Sequence, residues 1–310
     1  MSVINQFWYD LNTSVNGEIE LCQLRVLSIR SFLAHGYTVH FWSYQTVLNE
    51  IEHPNFKWMD AREIISEKEF LSRPVTLHRP GKGEVMRKEV NIAHFSDLFR
   101  ALLLYKQGGW WFDTDAYCLN KLPELEEKDQ GVILCSLPIK RTGSRIVKRK
   151  GADFSNSTIY AEKGHPLMKE MAKRVKGTFG KPLTQGFVEP MYACYEAVEE
   201  GGYRASIRPP LTFIPLCWWK TKFYYHENDG LRKRLSFGEH IPTAKTIIKH
   251  SSAVNFYNGT FQYLLESKEN VAHTLFDLIC ERVGMEIDLS RISFDGSNYH
   301  VIKNEKRRRT

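Results

Sequence analysis

Ser96-Asp97-Leu98-Phe99-Arg100-Ala101-Leu102-Leu103-Leu104-Tyr105-Lys106-Gln107-Gly108-Gly109-Trp110-Trp111-Phe112-Asp113-Thr114-Asp115 is the stretch whose reading decides the fold of this 310-residue chain. Leu98, Ala101, Leu102 and Tyr105 repeat at helical spacing, while Phe99, Leu103 and Leu104 occupy the remaining sides. A helix apolar nearly all round is buried nearly all round. Gly108-Gly109 stops it, and the aromatic run that follows reads as a strand over 110–116. Asp113 and Asp115, two apart, share a face if that strand stays regular. Two carboxylates so close repel, and a cation between them removes the penalty.

Working outward, 3–9 reads as a strand, 18–35 as a helix ended by Gly36, and 37–44 as a second strand. That β-α-β opening predicts an α/β protein with a parallel sheet. Further strands are expected at 56–59, 132–136, 154–161, 204–208 and 246–250, and helices at 61–70, 90–106, 165–175, 186–199 and 261–283. Residues 72–89, with Pro74, Pro80, Gly81 and Gly83, break the alternation and read as a long loop. Residues 140–152 read as a basic loop. With no repeat or splitting linker, the expected organisation is one catalytic domain over 1–260, with 261–310 as its helical extension and basic tail.

Composition is that of a globular protein, with 42% hydrophobic residues and 13% aromatics. The formal charge of +7 gathers at Lys140, Arg141, Arg145, Lys148, Arg149 and Lys150 and in the tail Lys306-Arg307-Arg308-Arg309. These clusters are solvated segments or attract phosphate or an anionic membrane. They lack the interleaved aromatics of a nucleic-acid platform, so no nucleic acid is expected. Cysteines 22, 118, 135, 194, 217 and 280 form no CxxC pair and read as reduced thiols. The opening MSVINQFWYD has no basic region leading into an apolar run, and no stretch approaches the ~18 apolar residues of a membrane span. The expectation is a cytoplasmic protein, at most peripheral to a membrane.

Asp97 and Arg100, three apart on a buried helix, need partners. An intrahelical pair that satisfies itself is one reading. In the other, Asp97 accepts from sugar hydroxyls and Arg100 faces sugar or phosphate oxygens. The carboxylates of Asp113 and Asp115 are hard oxygen ligands of the kind Mg²⁺ and Mn²⁺ prefer, suited to holding a cation against a diphosphate.

The string resembles the DXD region of glycosyltransferase family 32 and its relatives: initiating mannosyltransferases, α1,4-galactosyltransferases, capsular polysaccharide transferases and glucosylating toxin domains. It matches their Ser-Asp-x-x-Arg helix, Tyr-x-x-Gly-Gly and terminal Asp-x-Asp at Ser96, Asp97, Arg100, Tyr105, Gly108, Gly109, Asp113 and Asp115. Weaker likeness extends to Phe7-Trp8, where the family's Trp stacks on a base, to Asn156, to Gly164-His165-Pro166, and to Phe213 and Pro215. His250 resembles the histidine of a late Ala-x-His element and would join Asp113 and Asp115 on the metal. The family's Thr-Gly-Pro is here Thr184-Gln185-Gly186-Phe187, and Phe256-Tyr257 stand where a tryptophan usually follows the histidine.

The resemblance implies a GT-A-type, Rossmann-like mixed sheet flanked by helices. It implies a hexosyltransferase using Mn²⁺ or Mg²⁺ and a nucleotide-diphosphate sugar, with Trp8, Asp97, Arg100, Tyr105 and Asn156 on the donor. The acceptor would be a hydroxyl of a glycan, polysaccharide or glycolipid, with anomeric configuration retained. An inverting enzyme would need a carboxylate base such as Glu189, and a nucleotide-sugar-binding protein without catalysis is a further reading. A haloacid dehalogenase-type phosphatase would place Thr or Val two residues after Asp115, where Tyr117 stands.

Overall fold

A computed structural model describes residues 2–10, 13–14, 16–72, 77–78, 84–85, 92–136, 141–142, 145–146, 154–179, 202–203, 205–216, 242–256, 271–288, 292–294 and 299–301. In chain order the first strands and helices are β1 (Val3–Phe7), β2 (Glu18–Ile19), α1 (Gln23–Ala34), β3 (Thr38–Ser43), β4 (Thr46–Val47), β5 (Phe56–Asp60) and α2 (Glu67–Leu71). Then come β6 (Leu77–His78), β7 (Glu84–Val85), α3 (Ile92–Gln107), β8 (Gly109–Phe112), β9 (Ala116–Cys118) and β10 (Val132–Ser136). These are followed by β11 (Arg141–Thr142), β12 (Arg145–Ile146), β13 (Phe154–Ala161), α4 (Pro166–Lys176), β14 (Ser206–Arg208) and α5 (Pro210–Phe213). The last are α6 (Ala244–His250), β15 (Ala253–Asn255), α7 (Val271–Val283), β16 (Ile292–Phe294) and β17 (Tyr299–Val301).

Seven strands form the central sheet in the order β14-β10-β13-β8-β1-β3-β5. β1 pairs in parallel with both β3 and β8, β3 with β5, and β10 with β14. β13 runs antiparallel to both its neighbours, which makes the sheet mixed, as the α/β expectation of a mixed sheet flanked by helices requires. Because β13 runs against β8, its first residues lie at the edge where β8 ends.

Alternation along the strands builds the layers. Ile4, Val39, Phe41, Trp110, Phe112, Ile133 and Cys135 face α1 and α5. Phe7, Trp42, Trp111, Val132 and Leu134 face α3 and α4. α1 is also buried on its outer side, where Leu24 and Leu27 meet Tyr117, Val254, Leu275 and Ile279 from β9, β15 and α7. That double burial explains why its sequence has apolar residues on several faces. The basic side chains of 140–152, Thr184-Gln185-Gly186-Phe187, Glu189, Tyr257, the expected helix at 186–199 and the tail at 306–309 lie outside the described residues.

Several expectations change, and residues 72–89 and 140–152, expected as loops, carry the short antiparallel pairs β6–β7 and β11–β12. The helix drawn over 18–35 begins only at Gln23, since Glu18–Ile19 pair with β4 instead. Residues 61–70 hold a single 3-10 turn and the separate helix α2, capped by Ser66. Residues 246–250 belong to helix α6, capped by the Thr243 side chain, and the strand follows it at β15. β-branched Thr246, Ile247 and Ile248 suggested a strand there, but Ile247 is buried against α7 and that tertiary contact overrides the local preference.

Candidate active site

The double glycine sets the geometry of everything after it. Gly108 and Gly109 both take positive φ, at 73° and 95°. A Cβ on Gly108 would lie 2.6 Å from the Lys163 backbone nitrogen, and one on Gly109 would lie 2.9 Å from the Val3 carbonyl oxygen. Only glycine fits at either place. The turn sends β8 back beneath α3, so the start of the helix returns over the end of the strand.

At that end the strand stops at Phe112, earlier than the expected 110–116, and Asp113 and Asp115 sit on a turn. Ala116 N–H donates to the Asp113 carbonyl at 3.0 Å, closing the four-residue turn 113–116 that leads from β8 into β9. The two carboxylates therefore have different neighbours. Asp113 Oδ1 accepts from Trp111 Nε1 at 2.8 Å and meets Arg100 Nη1 at 3.2 Å. Asp115 Oδ1 accepts from Asn255 Nδ2 at 3.0 Å, and its carbonyl accepts from Phe256 N–H.

Arg100 is the hub. Its Nε donates to Ser96 O at 3.2 Å and its Nη2 to Ser96 Oγ at 2.8 Å, and Nη2 forms an ion pair with Asp97 Oδ1 at 3.0 Å. Nη1 serves Asp113 and the Asn156 carbonyl. The guanidinium thus makes hydrogen bonds to Ser96 and Asn156 and ion pairs with Asp97 and Asp113. The plane also lies near the Trp111 ring, 4.9 Å from its centroid. The intrahelical Asp97–Arg100 pair exists, but it is one edge of a larger network. Asn156, at the start of β13, donates from Nδ2 to Asp97 Oδ1 at 2.6 Å.

Burial pushes Asp97 up to about 7, against the pull of Arg100 and with help from the charge of Asp113. Burial also raises Asp113, while Arg100 and the Trp111 N–H hold it down. A carboxylate displaced this far at the carboxyl edge of a sheet marks a functional-site candidate.

Trp8 continues β1 at the same edge but stands on the α1 side, with the guanidinium carbon of Arg25 3.3 Å from its ring centroid. One indole face is thus covered. Tyr105 is not brought to the cluster: it lies five residues beyond Arg100 toward the other end of α3, its carbonyl accepting from Gly164 N–H at 2.8 Å. His250 is not brought there either. β15 runs antiparallel to β9 with Asn255 opposite Ala116 and Ala253 opposite Cys118. His250, five residues before Asn255 on the end of α6, therefore lies beyond the far end of that ladder from Asp115. Asn255 occupies the position beside Asp115 instead. Its signal was in the sequence, since Ala253-Val254-Asn255 has the Ala-x-His spacing with an amide for the imidazole.

Two other segments of the resemblance are structural. His165 caps α4, its Nδ1 accepting from Leu167 N–H at 3.2 Å, with Pro166 in the first turn. Phe213 packs in the core, its ring centroid 5.4 Å from that of Trp110.

Among the described residues no three His, Cys, Asp or Glu side chains gather as a metal cluster. The carboxylate oxygens at the turn are of the kind that fits a hard cation.

Residues 65–177 match the sequence model of a family described as capsular polysaccharide synthesis protein. The family likeness read from the sequence is borne out over that segment, which holds α3, the glycine turn, both aspartates and Asn156. A comparison with curated protein sequences gives no match. Among solved structures the chain is similar to the PaToxG glycosyltransferase, at 12% identity over 64% of this chain and 69% of that one, with a TM-score of 0.36. It is also similar to a glycosyltransferase involved in glycosylation of the major capsid of PBCV-1, at 10% identity over 84% and 96%, with a TM-score of 0.37. A third is the apo form of the glycosyltransferase GlyE of Streptococcus pneumoniae TIGR4, at 9% identity over 94% and 66%, with a TM-score of 0.39.

Proposed function

We propose that the chain is a glycosyltransferase that moves a sugar from a nucleoside-diphosphate donor to a hydroxyl of a glycan, polysaccharide or lipid-linked acceptor, using Mn²⁺ or Mg²⁺ at the Asp113–Asp115 turn. The observation that carries this reading is Arg100: one guanidinium joins the carboxylates of Asp97 and Asp113 at the carboxyl edge of the sheet, inside the segment that matches the polysaccharide-synthesis family. Ligands of open α/β sheets bind at that edge.

Each residue then has a task. Asp115 is the principal cation ligand, held by Asn255. Asp113, whose Oδ1 is held by Trp111 and Arg100, would be the second carboxylate toward the cation. A cation held there would supply neutralisation of the charge that grows on the leaving diphosphate. Asp97, oriented by Arg100 and Asn156, accepts hydrogen bonds from sugar hydroxyls. Arg100, ion-paired with Asp97 and Asp113, orients both carboxylates. Trp8 offers the nucleobase the indole face opposite Arg25. The sugar–phosphate bond breaks, the acceptor oxygen bonds to the anomeric carbon, and the acceptor proton goes to the leaving phosphate oxygen. That route retains configuration and needs no separate carboxylate base.

Donor hydrolysis and transfer, assayed with and without Mn²⁺, test the proposal in Asp115→Ala. We expect a loss of at least about 10²-fold with the fold intact, since preorganised charge stabilisation of the leaving group is worth that much. Near wild-type turnover in the variant, or turnover indifferent to a chelator, refutes the assignment. Thermal-shift screening of nucleotide sugars with Mn²⁺ identifies the donor, which at a hundredfold excess over its Kd stabilises the fold by about 2.7 kcal/mol.

A further inference from the structure

The Asp113–Asp115 turn is gripped from beneath by two buried polar side chains. Strand alternation turns Gln6 of β1 to the α1 side, where Ser28 of α1 meets it, and both are 0% exposed. Gln6 Nε2 donates to Ser28 Oγ at 2.8 Å and to the Asp113 carbonyl at 3.3 Å. Ser28 Oγ in turn donates to the Ala116 carbonyl at 2.5 Å. The two carbonyls so held are the first and last of the four-residue turn that carries both aspartates.

Polar groups in such a place are costly, and the surrounding core of Ile4, Ile29, Phe32 and Phe112 would accept apolar side chains. Gln6 Oε1 is even left buried with no hydrogen-bond partner among the described residues. What the glutamine contributes is therefore its N–H donors, which among the described residues reach Ser28 and the turn. One turn of helix further on, Ser31 Oγ accepts from Cys118 N–H at 2.9 Å, so α1 holds β9 by a second hydroxyl.

We propose that Gln6 and Ser28 are positioning residues that set the spacing of the Asp113 and Asp115 carboxylates through the backbone of their turn. The proposal rests on the reading of those carboxylates as cation ligands. The groups one shell outside a metal's ligands govern ligand orientation, and losing one typically costs about 10–100-fold in metal affinity. Here that shell acts through main-chain carbonyls.

The test is a titration with Mn²⁺ alone, following the electron paramagnetic resonance signal of the free ion. It compares wild type, Asp115→Ala, Gln6→Met, Ser28→Ala and Ile29→Val, each verified as folded at the assay temperature. Gln6→Met conserves volume and removes the donors. Ile29→Val loosens the same helix without touching the turn. We expect Gln6→Met and Ser28→Ala to bind Mn²⁺ about 10-fold or more weakly, with Ile29→Val within about twofold of wild type, a split that general loosening of the fold does not produce. If Asp115→Ala loses Mn²⁺ while Gln6→Met and Ser28→Ala match Ile29→Val, the positioning role is wrong and the cation reading stands. If Asp115→Ala binds as wild type does, the cation reading is wrong and the positioning role goes with it.

Discussion

Arg100→Lys separates a network from a single charge. The guanidinium reaches Asp97 at 3.0 Å and Asp113 at 3.2 Å with different nitrogens, and Ser96 and Asn156 with its remaining donors. Lysine keeps the charge but has one nitrogen, so it satisfies one carboxylate and leaves the other side of the fork empty. One lost hydrogen bond to a charged group costs about 1.5–3 kcal/mol, and the Asn156 carbonyl adds about 1 kcal/mol. The expected destabilisation is about 2.5–4 kcal/mol, a large share of the roughly 5–15 kcal/mol that holds a domain, yet small enough for the variant to fold. Urea unfolding at constant m-value measures it. Freed of one restraint, the Asp113 carboxylate loses its orientation, and donor turnover is expected to fall by more than about 10-fold at a temperature where the variant is folded. A variant within about 0.5 kcal/mol of wild type, a value typical of substitutions away from any such network, refutes the account of Arg100 as a hub. A destabilised variant with wild-type turnover refutes the link from Arg100 to the chemistry.

The remaining expectations concern Asp97 and the glycine turn. A carboxyl raised to about 7 in the folded chain, against about 3.9 when unfolded, takes up its proton on folding. Its favourable contribution is present below the unfolded value and is lost as pH rises through 7. Urea midpoints between pH 5 and pH 8 should therefore fall in wild type relative to Asp97→Asn, and parallel profiles would show that Asp97 does not titrate there. Gly36 and Gly109 both have positive φ, but a Cβ on Gly36 meets nothing within 4 Å. Gly36→Ala should cost about 1–2 kcal/mol from the backbone alone, whereas Gly109→Ala should cost about 1–3 kcal/mol more from overlap with Val3. Equal losses on urea unfolding would contradict the close packing of β1 against the glycine turn.

Much of the fold is legible in local pattern. Residues 132–136 and 154–161 are bounded as expected, because alternating or continuous apolar runs flanked by turns permit little else. The family likeness and the cluster of Asp97, Arg100, Asn156 and the two aspartates are legible too, since close spacing in the chain or a distinctive motif marks most of them. Local pattern misleads where a long-range contact decides. Residues 246–250 look β-branched but fold as α6 against α7, and Asp115 looks like the end of a strand but rides a turn. His250 satisfied a motif by residue type, while the β9–β15 register placed Asn255 beside Asp115 instead. Gln6 and Ser28 carry no motif at all. Sequence by itself determined which residues are apolar, where the glycines permit reversal, and that two carboxylates stand two apart. Only the tertiary structure decided which side chains meet those carboxylates. A hydrogen bond requires donor and acceptor within about 3 Å, and strands and helices distant in the chain are brought to that distance by the register of the sheet and the packing of α1 and α3 on its faces.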